Sequence, residues 1–538
     1  MTARWWPSLA RPLALLRRRQ AFAVAGASLS AGLVPAGLVP AGLVPAGLAS
    51  ASAAESGPEQ PRAAGDTLQP GQPQQPAPSG QRRWPSYFGR KSVWGYADRH
   101  SVKRGESFDL MLSTSPTIAG ARGRVEFHRL GAGAPALVWT SPSVAVPSQR
   151  ANVVASAVGP NWQPILSRVD TSAWPPGYYS ADFIAEGGGR DPHVAQIIVR
   201  PPAPRGDILL KLSTNTYQAY NDWGGYSLYT GGRDDMARGA MVSFDRPSPP
   251  SFLEYEIFLA RWLEEMGARE GFTVDYASNF DVHADPALLP AYRLVICGGH
   301  DEYWSKEEFD AFEARIFQQG RNTMFLCGNS AYWQVRYADI NRPPGGADHG
   351  RQMVCYKSIR DPIARRPDAT DPSLLITAQF REGNRRPESM LMGVAYQSWH
   401  SPGGNPLQRH AYTVAAPDHP LFEGTGLQAG ERAADVVGYE WDNRDPYNNG
   451  ARLWDKDRSR NAFLPPEKLQ VLFRGYPVDV AGRRGLAEAV YFESDAGAKV
   501  FSAGTIRWAW GLGRPGFVQP GFVKFNENLV RRMLGRIA

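Results

Sequence analysis

Cysteine is scarce in this sequence, and several short catalytic motifs are missing from it. Only Cys297, Cys327 and Cys355 occur among 538 residues, so at least one lies outside any intramolecular disulfide. The sequence also has no P-loop, no HExxH motif and no GxSxG motif. A disulfide-stapled scaffold is therefore excluded. Nucleotide hydrolysis, zincin-type proteolysis and the usual serine hydrolase chemistry are disfavoured.

Acidic residues are absent from the first 53 positions, which contain five arginines. The whole chain has 59 basic and 52 acidic residues, a formal net charge of +7. Without the five arginines the balance is 54 basic to 52 acidic residues, or +2. The remaining surface is nearly balanced, so the charge does not predict binding to nucleic acid or another polyanion.

The same N-terminal stretch is organised like an export signal. Three arginines at residues 17–19 precede an uncharged run that begins at Ala21, and residues 51–53 fit an A-x-A cleavage site. The paired arginines ahead of Phe22 indicate the twin-arginine route. We expect a signal peptide over residues 1–53 and a periplasmic or extracellular protein with no stable membrane span after cleavage.

A retained membrane anchor is the alternative, because residues 21–54 are long enough to span a bilayer. The threefold AGLVP repeat, however, places Pro35, Pro40 and Pro45 in that stretch, and proline interrupts a continuous helix. Residues 54–90 follow, rich in Pro, Gln, Gly and Ser with almost nothing apolar to bury, so we predict a disordered linker there.

Short alternating segments separated by Gly- and Pro-rich turns occupy residues 91–203. The clearest of them are Phe108 to Ser113, Val125 to Leu130, Tyr178 to Ile184 and Val194 to Val199. This alternation with turn punctuation predicts an N-terminal antiparallel β-sandwich domain.

From residue 204 to residue 538 the pattern changes to apolar strands alternating with amphipathic helices. We predict strands at residues 208–212, 272–276, 294–297, 323–327, 490–492 and 500–502. We predict helices at residues 253–266, at the segment that Ser305 and Glu308 cap and Gly320 ends, and at residues 522–537. The predicted fold class is therefore α/β, with a doubly wound, mainly parallel sheet behind the β-sandwich.

Polar residues follow three of the predicted strands directly. TYQAYNDWGG begins at Thr216, GGHDEYWS begins at Gly298 and CGNSAYW begins at Cys327. The carboxyl ends of parallel strands meet at one edge of a sheet, where loops and helix N-termini form a crevice. We therefore expect histidine, glutamate, asparagine and tyrosine side chains to share one rim.

These three runs, with VGYEWDN around Glu440, resemble the C-terminal domain of the N,N-dimethylformamidase large (beta) subunit family over about residues 205–535. The four motifs occur in the family's order, which makes the resemblance specific. It implies a glutamine-amidotransferase-like sheet and metal-dependent hydrolysis of an amide C–N bond, with the substrate unproven. It also implies a mononuclear iron, Fe³⁺, held by two tyrosines and one glutamate.

The resemblance carries over to individual residues. It implies Glu302 and Tyr220 as iron ligands, with a tyrosine of the PGYY segment as the third. Strand alternation places Tyr179 rather than Tyr178 on the inward face, so we take Tyr179 as that ligand. A site that uses Tyr179 lies between the two predicted domains.

The proposed catalytic residues are His300, Asn329 and Glu440. By resemblance, His300 and Asn329 line the substrate pocket. Glu440 acts as the base that takes a proton from water and returns it to the leaving amine. Phenolate and carboxylate oxygens are hard ligands that suit Fe³⁺. The implied partners are a small amide substrate and either a second copy of the chain or a small companion subunit.

Each of these residues also has an ordinary structural explanation. Tyr220 is explained equally by aromatic packing, and Glu302 by an acid at the start of the following helix. His300 fits a hydrogen-bonded loop residue, Asn329 a turn cap and Glu440 a partly buried acid.

Two other functions compete with the amidase interpretation. Cys297 ends an apolar strand three residues before His300, as the nucleophile of a secreted cysteine hydrolase would, although Ile296 is larger than a nucleophile elbow favours. Against that, a buried thiol at the end of a strand is usually a small hydrophobe. The second alternative is a non-catalytic exported binding protein.

Overall fold

The computed structural model describes residues 91–152, 154–229, 239–338, 350–357, 361–365, 376–381, 386–400, 409–444 and 469–537. The predicted signal peptide and linker, residues 1–90, lie outside this part of the chain, so both stay predictions. Within the described residues, no helix is both long enough and apolar enough to cross a membrane.

Strands dominate the first described region. The elements are β1 (Val93–Ala97), β2 (Ser101–Lys103), β3 (Ser107–Thr114), β4 (Gly120–Leu130), β5 (Ala136–Thr140), β6 (Val144–Pro147), the short helix α1 (Ala155–Val158), β7 (Pro164–Asp170), β8 (Gly177–Ala185) and β9 (Arg190–Arg200).

Two sheets form this region and share one core. One contains β1, β3 and β7, and the other has the order β2-β9-β8-β4-β5 with β6 paired to β4. Phe108, Phe127 and Trp174 pack between them, with the rings of Phe127 and Trp174 4.9 Å apart. The predicted antiparallel β-sandwich is confirmed in part, because β2 pairs with β9 in the parallel direction.

The second described region carries longer helices between its strands. Its elements are β10 (Ile208–Lys211), α2 (Thr214–Ala219), β11 (Met241–Ser243), α3 (Glu256–Glu270), β12 (Val274–Ala277), α4 (Asn279–Ala284), β13 (Leu294–Gly299), β14 (Tyr303–Ser305), α5 (Lys306–Phe317), β15 (Asn322–Cys327), β16 (Trp333–Ala338), β17 (Gln352–Val354), α6 (Ser389–Met392), β18 (Ala395–Trp399), β19 (His410–Val414), β20 (Arg432–Val437), β21 (Glu440–Asn443), β22 (Leu469–Gly475), β23 (Ala487–Glu493), β24 (Lys499–Ser502), α7 (Trp510–Gly513) and α8 (Pro520–Met533).

A nine-stranded sheet organises the second region, in the order β12-β10-β13-β15-β24-β23-β22-β19-β20. The strands from β12 to β24 pair in parallel, and those from β24 to β20 pair antiparallel. Strands make up 37% of the structure and helices 21%. The prediction of a doubly wound, mainly parallel α/β fold is therefore wrong, because the sheet is mixed.

The direction change follows from the length of a connection. Residues 494–498 alone join β23 to β24, whereas a parallel neighbour needs a crossover of roughly a dozen residues or more. These two strands therefore pair as an antiparallel hairpin. The strand-helix-strand pattern before residue 330 predicts parallel neighbours, but β23 and β24 have no helix between them.

Each face of the parallel half of the sheet has its own core. Leu210 and Ile296 point to the face covered by α3 and α8, and Leu209 and Val295 point to the face covered by α4 and α5. Alternate residues of one strand therefore serve two cores, as expected for strands buried on both faces. This burial fixes the carboxyl ends of β10, β13 and β15 side by side.

Helix α5 begins as the sequence predicts, but its capping differs in one respect. The Ser305 hydroxyl accepts the backbone N–H of Glu308 at 3.1 Å. The Glu308 carboxylate pairs with the ammonium of Lys211 and accepts the side-chain amide of Asn279 at 2.9 Å. A side chain predicted to cap its own helix thus joins a buried cluster under the loop at residues 300–302.

Candidate functional site

Four segments of the second region bring polar side chains together. Tyr220 is the C-cap of α2, Glu302 follows β13, Asn329 follows β15, and Glu440 is the first residue of β21. Strand β13 pairs with β10 on one side and β15 on the other, so the loops after these strands are neighbours. The three loops share one rim, as expected: Tyr220 contacts Glu302, and both His300 and Asn329 contact Glu440.

Glu302 is the centre of the cluster and is fully buried. Tyr220 donates its hydroxyl to Oε2 at 2.9 Å, and Tyr229 donates its hydroxyl to Oε1 at 2.5 Å. Trp333 Nε1 donates to the same Oε1 at 3.0 Å. Both carboxylate oxygens therefore have donors. The ordinary alternative of an exposed acid at a helix start does not describe Glu302.

The backbone around Glu302 is held from two sides. Its N–H donates to Thr216 Oγ1 of α2 at 3.0 Å, and its carbonyl accepts the N–H groups of Tyr332 at 2.9 Å and Trp333 at 3.0 Å. Ahead of the loop, Gly299 adopts φ +75°, and a Cβ there would lie 2.8 Å from the Glu256 carboxyl carbon. Glycine is therefore required where the chain leaves β13.

His300 bridges two carboxylates. Its Nε2 lies 3.2 Å from Glu302 Oε2 and 3.1 Å from Glu440 Oε2, and its Nδ1 lies 3.0 Å from the Tyr439 hydroxyl. Burial lowers the pKa of His300, but the carboxylates of Glu440 and Glu302 outweigh it and raise the pKa to about 10. The imidazole is therefore a cation between two acids at neutral pH.

Asn329 and Asp442 position the second carboxylate. Asn329 Nδ2 donates to Glu440 Oε2 at 2.9 Å, and the Asn329 backbone N–H donates to Asp442 Oδ1 at 2.9 Å. Glu440 and Asp442 are two residues apart on β21, so their side chains lie on the same face of the strand and both reach this loop. Burial, together with the charges of Glu388 and Glu440, raises the pKa of Asp442 to about 7. The hydrogen bond from the Asn329 backbone opposes this rise only in part.

Two members of the cluster were missed by the sequence analysis. Tyr229 lies in the loop after α2, outside the quoted motifs, and only its closeness to Tyr220 along the chain pointed to it. The Lys357 ammonium lies 3.2 Å from the centre of the Tyr229 ring. Burial raises the pKa of Glu302, but His300 and then Lys357 reverse this and hold it below its usual range. No local sequence pattern distinguishes Lys357.

The structure places Tyr179 elsewhere. Its ring packs 4.9 Å from Trp174 in the sandwich core, and its hydroxyl donates to the carbonyl of Pro175. Tyr178 stacks on Phe252 at 4.0 Å, in the core of the second region. Alternation correctly put Tyr179 on the inward face of β8, but that face is the interior of the sandwich. The structure does not bring Tyr179 together with Tyr220 and Glu302.

The geometry also bears on the cysteine hydrolase alternative. Cys297 is fully buried in the core under α5, and burial raises the pKa of its thiol well above the usual range. Cys327 is likewise buried and accepts the Ser330 hydroxyl at 2.7 Å. All three cysteines are free thiols. Cys297 therefore has the environment of a structural cysteine rather than an activated nucleophile.

The donor set at Glu302 consists of oxygens from two phenols and a carboxylate. In the part of the chain that is described, no group of three or more His, Cys, Asp or Glu side chains is arranged to hold a metal ion. Tyrosine can also be a metal ligand, although it is not one of those four residue types. The phenol oxygens of Tyr220 and Tyr229 lie at hydrogen-bond distance from different oxygens of Glu302. The two phenols and the carboxylate therefore form one buried, hydrogen-bonded group of hard oxygen donors.

Similar proteins share short stretches of sequence with this chain. The N,N-dimethylformamidase beta subunit of Alcaligenes sp. is 34% identical over 84 residues, which is 15% of this chain and 10% of that protein. The N,N-dimethylformamidase beta subunit of Paracoccus aminophilus is 33% identical over 84 residues, with the same coverage. The chain therefore matches about a tenth of the length of these relatives.

Among solved structures, murine CEACAM1b aligns with 21% of this chain and 56% of its own at 15% identity, with a TM-score of 0.13, too low to indicate a shared fold. The family described as N,N-dimethylformamidase beta subunit-like, C-terminal, matches residues 124–521, which is more than half of the chain. The match includes all four motifs around Tyr220, Glu302, Asn329 and Glu440. This chain belongs to the N,N-dimethylformamidase beta subunit-like C-terminal family.

Proposed function

We propose that the protein hydrolyses the C–N bond of a small amide at the Glu302–Glu440 cluster. The observation that carries this proposal is the single His300 ring held between two buried carboxylates, one of which accepts two phenol hydroxyls. Membership in the dimethylformamidase-like family supports amide hydrolysis as the reaction class. The substrate is proposed only as a small amide, because the matches to the named dimethylformamidase subunits are short.

Iron is the cofactor that the donor set fits. Tyr220, Tyr229 and Glu302 offer two phenol oxygens and one carboxylate, which are hard ligands suited to Fe³⁺. We therefore propose Tyr229 as the second tyrosine ligand, the place that the sequence had given to Tyr179. A bound iron supplies Lewis-acid polarisation of the amide carbonyl.

Glu440 is placed to act as the general base. Its Oε2 already accepts from Asn329 Nδ2 and faces His300 Nε2, so the carboxylate is held in one orientation. In the hydrolysis, Glu440 takes a proton from the attacking water. It then gives the proton to the amide nitrogen as the C–N bond breaks. The products are a carboxylic acid and an amine, the acid then gives its proton to the amine or to solvent, and Glu440 ends in its starting ionisation state.

His300 and Asn329 hold the two carboxylates of the site in fixed positions. His300 lies within hydrogen-bond distance of both carboxylates, so it fixes the spacing between the Glu302 side and the Glu440 side of the site. Asn329 adopts φ +49°, and its backbone N–H is fixed on Asp442. A reaction that needs a water near Glu440 and a carbonyl near Glu302 requires this fixed separation.

The cysteine hydrolase alternative is disfavoured by the burial of Cys297. It makes a clear prediction of its own, namely that Cys297→Ala abolishes amide turnover. Under the proposal made here, Cys297→Ala keeps turnover, because the thiol packs in the core and touches no reacting group.

Partners and location are proposed on other grounds. The similar proteins are named beta subunits, so we propose that this chain also assembles, with either a second copy or a small companion subunit. Light scattering on the purified chain, alone and after recovery from its native host, distinguishes these states. The export prediction is checked by the N-terminal sequence of the secreted protein, which is expected to begin near Ala54.

The deciding experiment is iron analysis with a visible absorption spectrum on protein purified without chelators. About one iron per chain together with a phenolate-to-iron charge-transfer band is the expected result. A panel of small formamides and acetamides then identifies the substrate. Protein that takes up no iron after reconstitution and turns over no amide would overturn the proposal in favour of a binding protein.

A further inference from the structure

A cavity lies between the sandwich and helix α2. Its walls come from β1, β8 and β9 on one side and from α2, the segment after β11, and Arg351 on the other. Its volume is about 80 Å³. A buried water needs about 10–15 Å³, so the cavity has room for a ligand of a few heavy atoms.

Helix α2 separates this cavity from the Glu302 cluster. Thr214, Tyr217 and Gln218 line the cavity, and at helical spacing these residues share one face. Thr216 and Tyr220, which contact Glu302, lie on another face of the same helix. The cavity is therefore a distinct space and not an extension of the proposed active site.

The lining carries positive charge. Arg99, Arg246 and Arg351 all line the cavity, and the described lining residues include no aspartate or glutamate. Two of these arginines form ion pairs with aspartates that do not line the cavity. Arg351 pairs with Asp245 at 2.9 Å, and Arg99 pairs with Asp98 at 3.4 Å.

Arg246 differs from the other two arginines. It is fully buried, and its guanidinium donates to the backbone carbonyls of Gln218, Trp223, Tyr226 and Ser243 and to the Gln218 side-chain oxygen, at 2.8–3.3 Å. Among the described residues, no carboxylate pairs with it. Burial lowers the pKa of Arg246 to about 9, and the charge of Asp222 only partly opposes this.

The carbonyl oxygens and the charge of Asp222 stabilise the buried Arg246 cation only in part, and a bound anion supplies a direct counter-ion. After the two ion pairs are counted, Arg246 leaves roughly one positive charge for the cavity. One charge matches a monovalent carboxylate better than a divalent phosphate. The side chains of Phe244 and Ile197 add an apolar wall for a short carbon chain.

We propose that this cavity is a binding site for a small monovalent carboxylate, with Arg246 as its principal cation and Gln196 and Gln218 as polar neighbours. The site is independent of the reaction proposed at Glu302. Carboxylate binding to the folded chain alone raises its thermal stability, and above Kd this gain grows with the logarithm of the carboxylate concentration.

The test is a thermal denaturation series on the full chain with sodium acetate, sodium phosphate and sodium chloride at matched ionic strength. Acetate is expected to raise the melting temperature more than chloride does, by an amount that grows with the logarithm of the acetate concentration. Gln196→Glu places an acid in the lining and is expected to abolish this acetate-specific shift. Gln428→Glu makes the same change at an exposed position outside the lining and is expected to keep it.

Three outcomes overturn the proposal. They are equal shifts with acetate and chloride, a shift above that of chloride with phosphate alone, and an unchanged acetate-specific shift in Gln196→Glu. If Gln196→Glu does not fold, Ser248→Asp replaces it, because Ser248 lines the cavity at a partly exposed position. Ser248→Asp is also expected to lose the acetate-specific shift, and retention of that shift contradicts the site.

Discussion

Two buried charged clusters lie on either side of the loop at residues 300–302, and they are built differently. In one, the Lys211 ammonium lies between the carboxylates of Asp301 and Glu308, 4.2 Å from the centre of the Trp304 ring. In the other, His300 lies between Glu302 and Glu440, and phenols and an amide supply further contacts. Consecutive residues, Asp301 and Glu302, therefore belong to different clusters.

The difference shows how burial serves two purposes. Asn279 Nδ2 donates to both Asp301 and Glu308, at 3.2 and 2.9 Å, so the Lys211 cluster is cross-linked within itself. Burial lowers the pKa of Lys211, but Asp301 and Glu308 outweigh it and raise the pKa above its usual range. This cluster holds the loop in place. The Glu302 cluster instead holds the residues to which the proposed reaction is assigned.

The variant with the largest expected effect removes the Lys211 ammonium and so tests whether the Lys211 cluster is structural. Lys211→Met leaves two buried carboxylates without their cation, and we expect a loss of about 3–5 kcal/mol in the free energy of unfolding. Denaturant titration measures it. Lys306→Met breaks a partly exposed pair with Asp310 and is expected to cost about 1 kcal/mol or less. Equal losses in the two variants would show that the Lys211 cluster does not stabilise the loop.

On the other side of the loop, Glu440→Gln should change chemistry and not folding. We expect amide turnover to fall by about 10²–10⁴-fold, because the general base is lost, with iron content unchanged. Steady-state kinetics on an amide that the wild type hydrolyses gives the result. Glu493→Gln, at a half-exposed position on β23, serves as the matched control with normal turnover. Normal turnover in Glu440→Gln would remove the base from the proposal.

Two tyrosine variants sharpen the assignment of the iron ligands. Tyr229→Phe is expected to lose iron and the charge-transfer band, because its hydroxyl is one of the two on Glu302. Tyr179→Phe is expected to keep both and to lose about 1 kcal/mol of stability with its hydrogen bond to Pro175. Iron analysis and visible spectra compare the two. The reverse pattern would restore Tyr179 as the ligand.

The last expected effect concerns the pH dependence of stability. The folded-state pKa of Asp442 is about 7 because of burial, while an unfolded aspartate titrates near a pKa of about 3.9. The folded state thus holds a proton that the unfolded state releases, so the wild type loses stability as pH rises from about 4 to about 7. Asp442→Asn removes this loss and keeps an acceptor for Asn329. Urea unfolding at pH 5 and pH 8 should show the variant gaining relative to the wild type at pH 8; parallel values would contradict the shift.

Local signals in the sequence predicted several parts of the structure. Strand β13 and helix α5 appear where the apolar run and the Ser305 cap placed them. The closeness of Tyr220, His300, Glu302 and Asn329 follows from their places after adjacent parallel strands, whose ends share an edge. Glu440 was implied only by the family resemblance of VGYEWDN, because β21 lies in a separate two-stranded sheet.

Long-range contacts decided the rest. The direction of β22 and β23 depends on which strands they pair with, and the sequence pattern of a buried strand is the same in both directions. Tyr229 and Lys357 reach the cluster from segments without a motif. Tyr179 turned inward as alternation predicts, but only the packing of the two sheets showed that this interior is the sandwich core.

The sequence by itself therefore determined the family, the early strands and helices, and most of the polar residues at the proposed site. The tertiary structure alone decided the mixed sheet, the second tyrosine on Glu302 and the division of Asp301 and Glu302 between two clusters. The physical reason is that hydrophobic periodicity and capping act between residues close in sequence. The partner of a buried charge or phenol is set by which segments the folded core brings into contact.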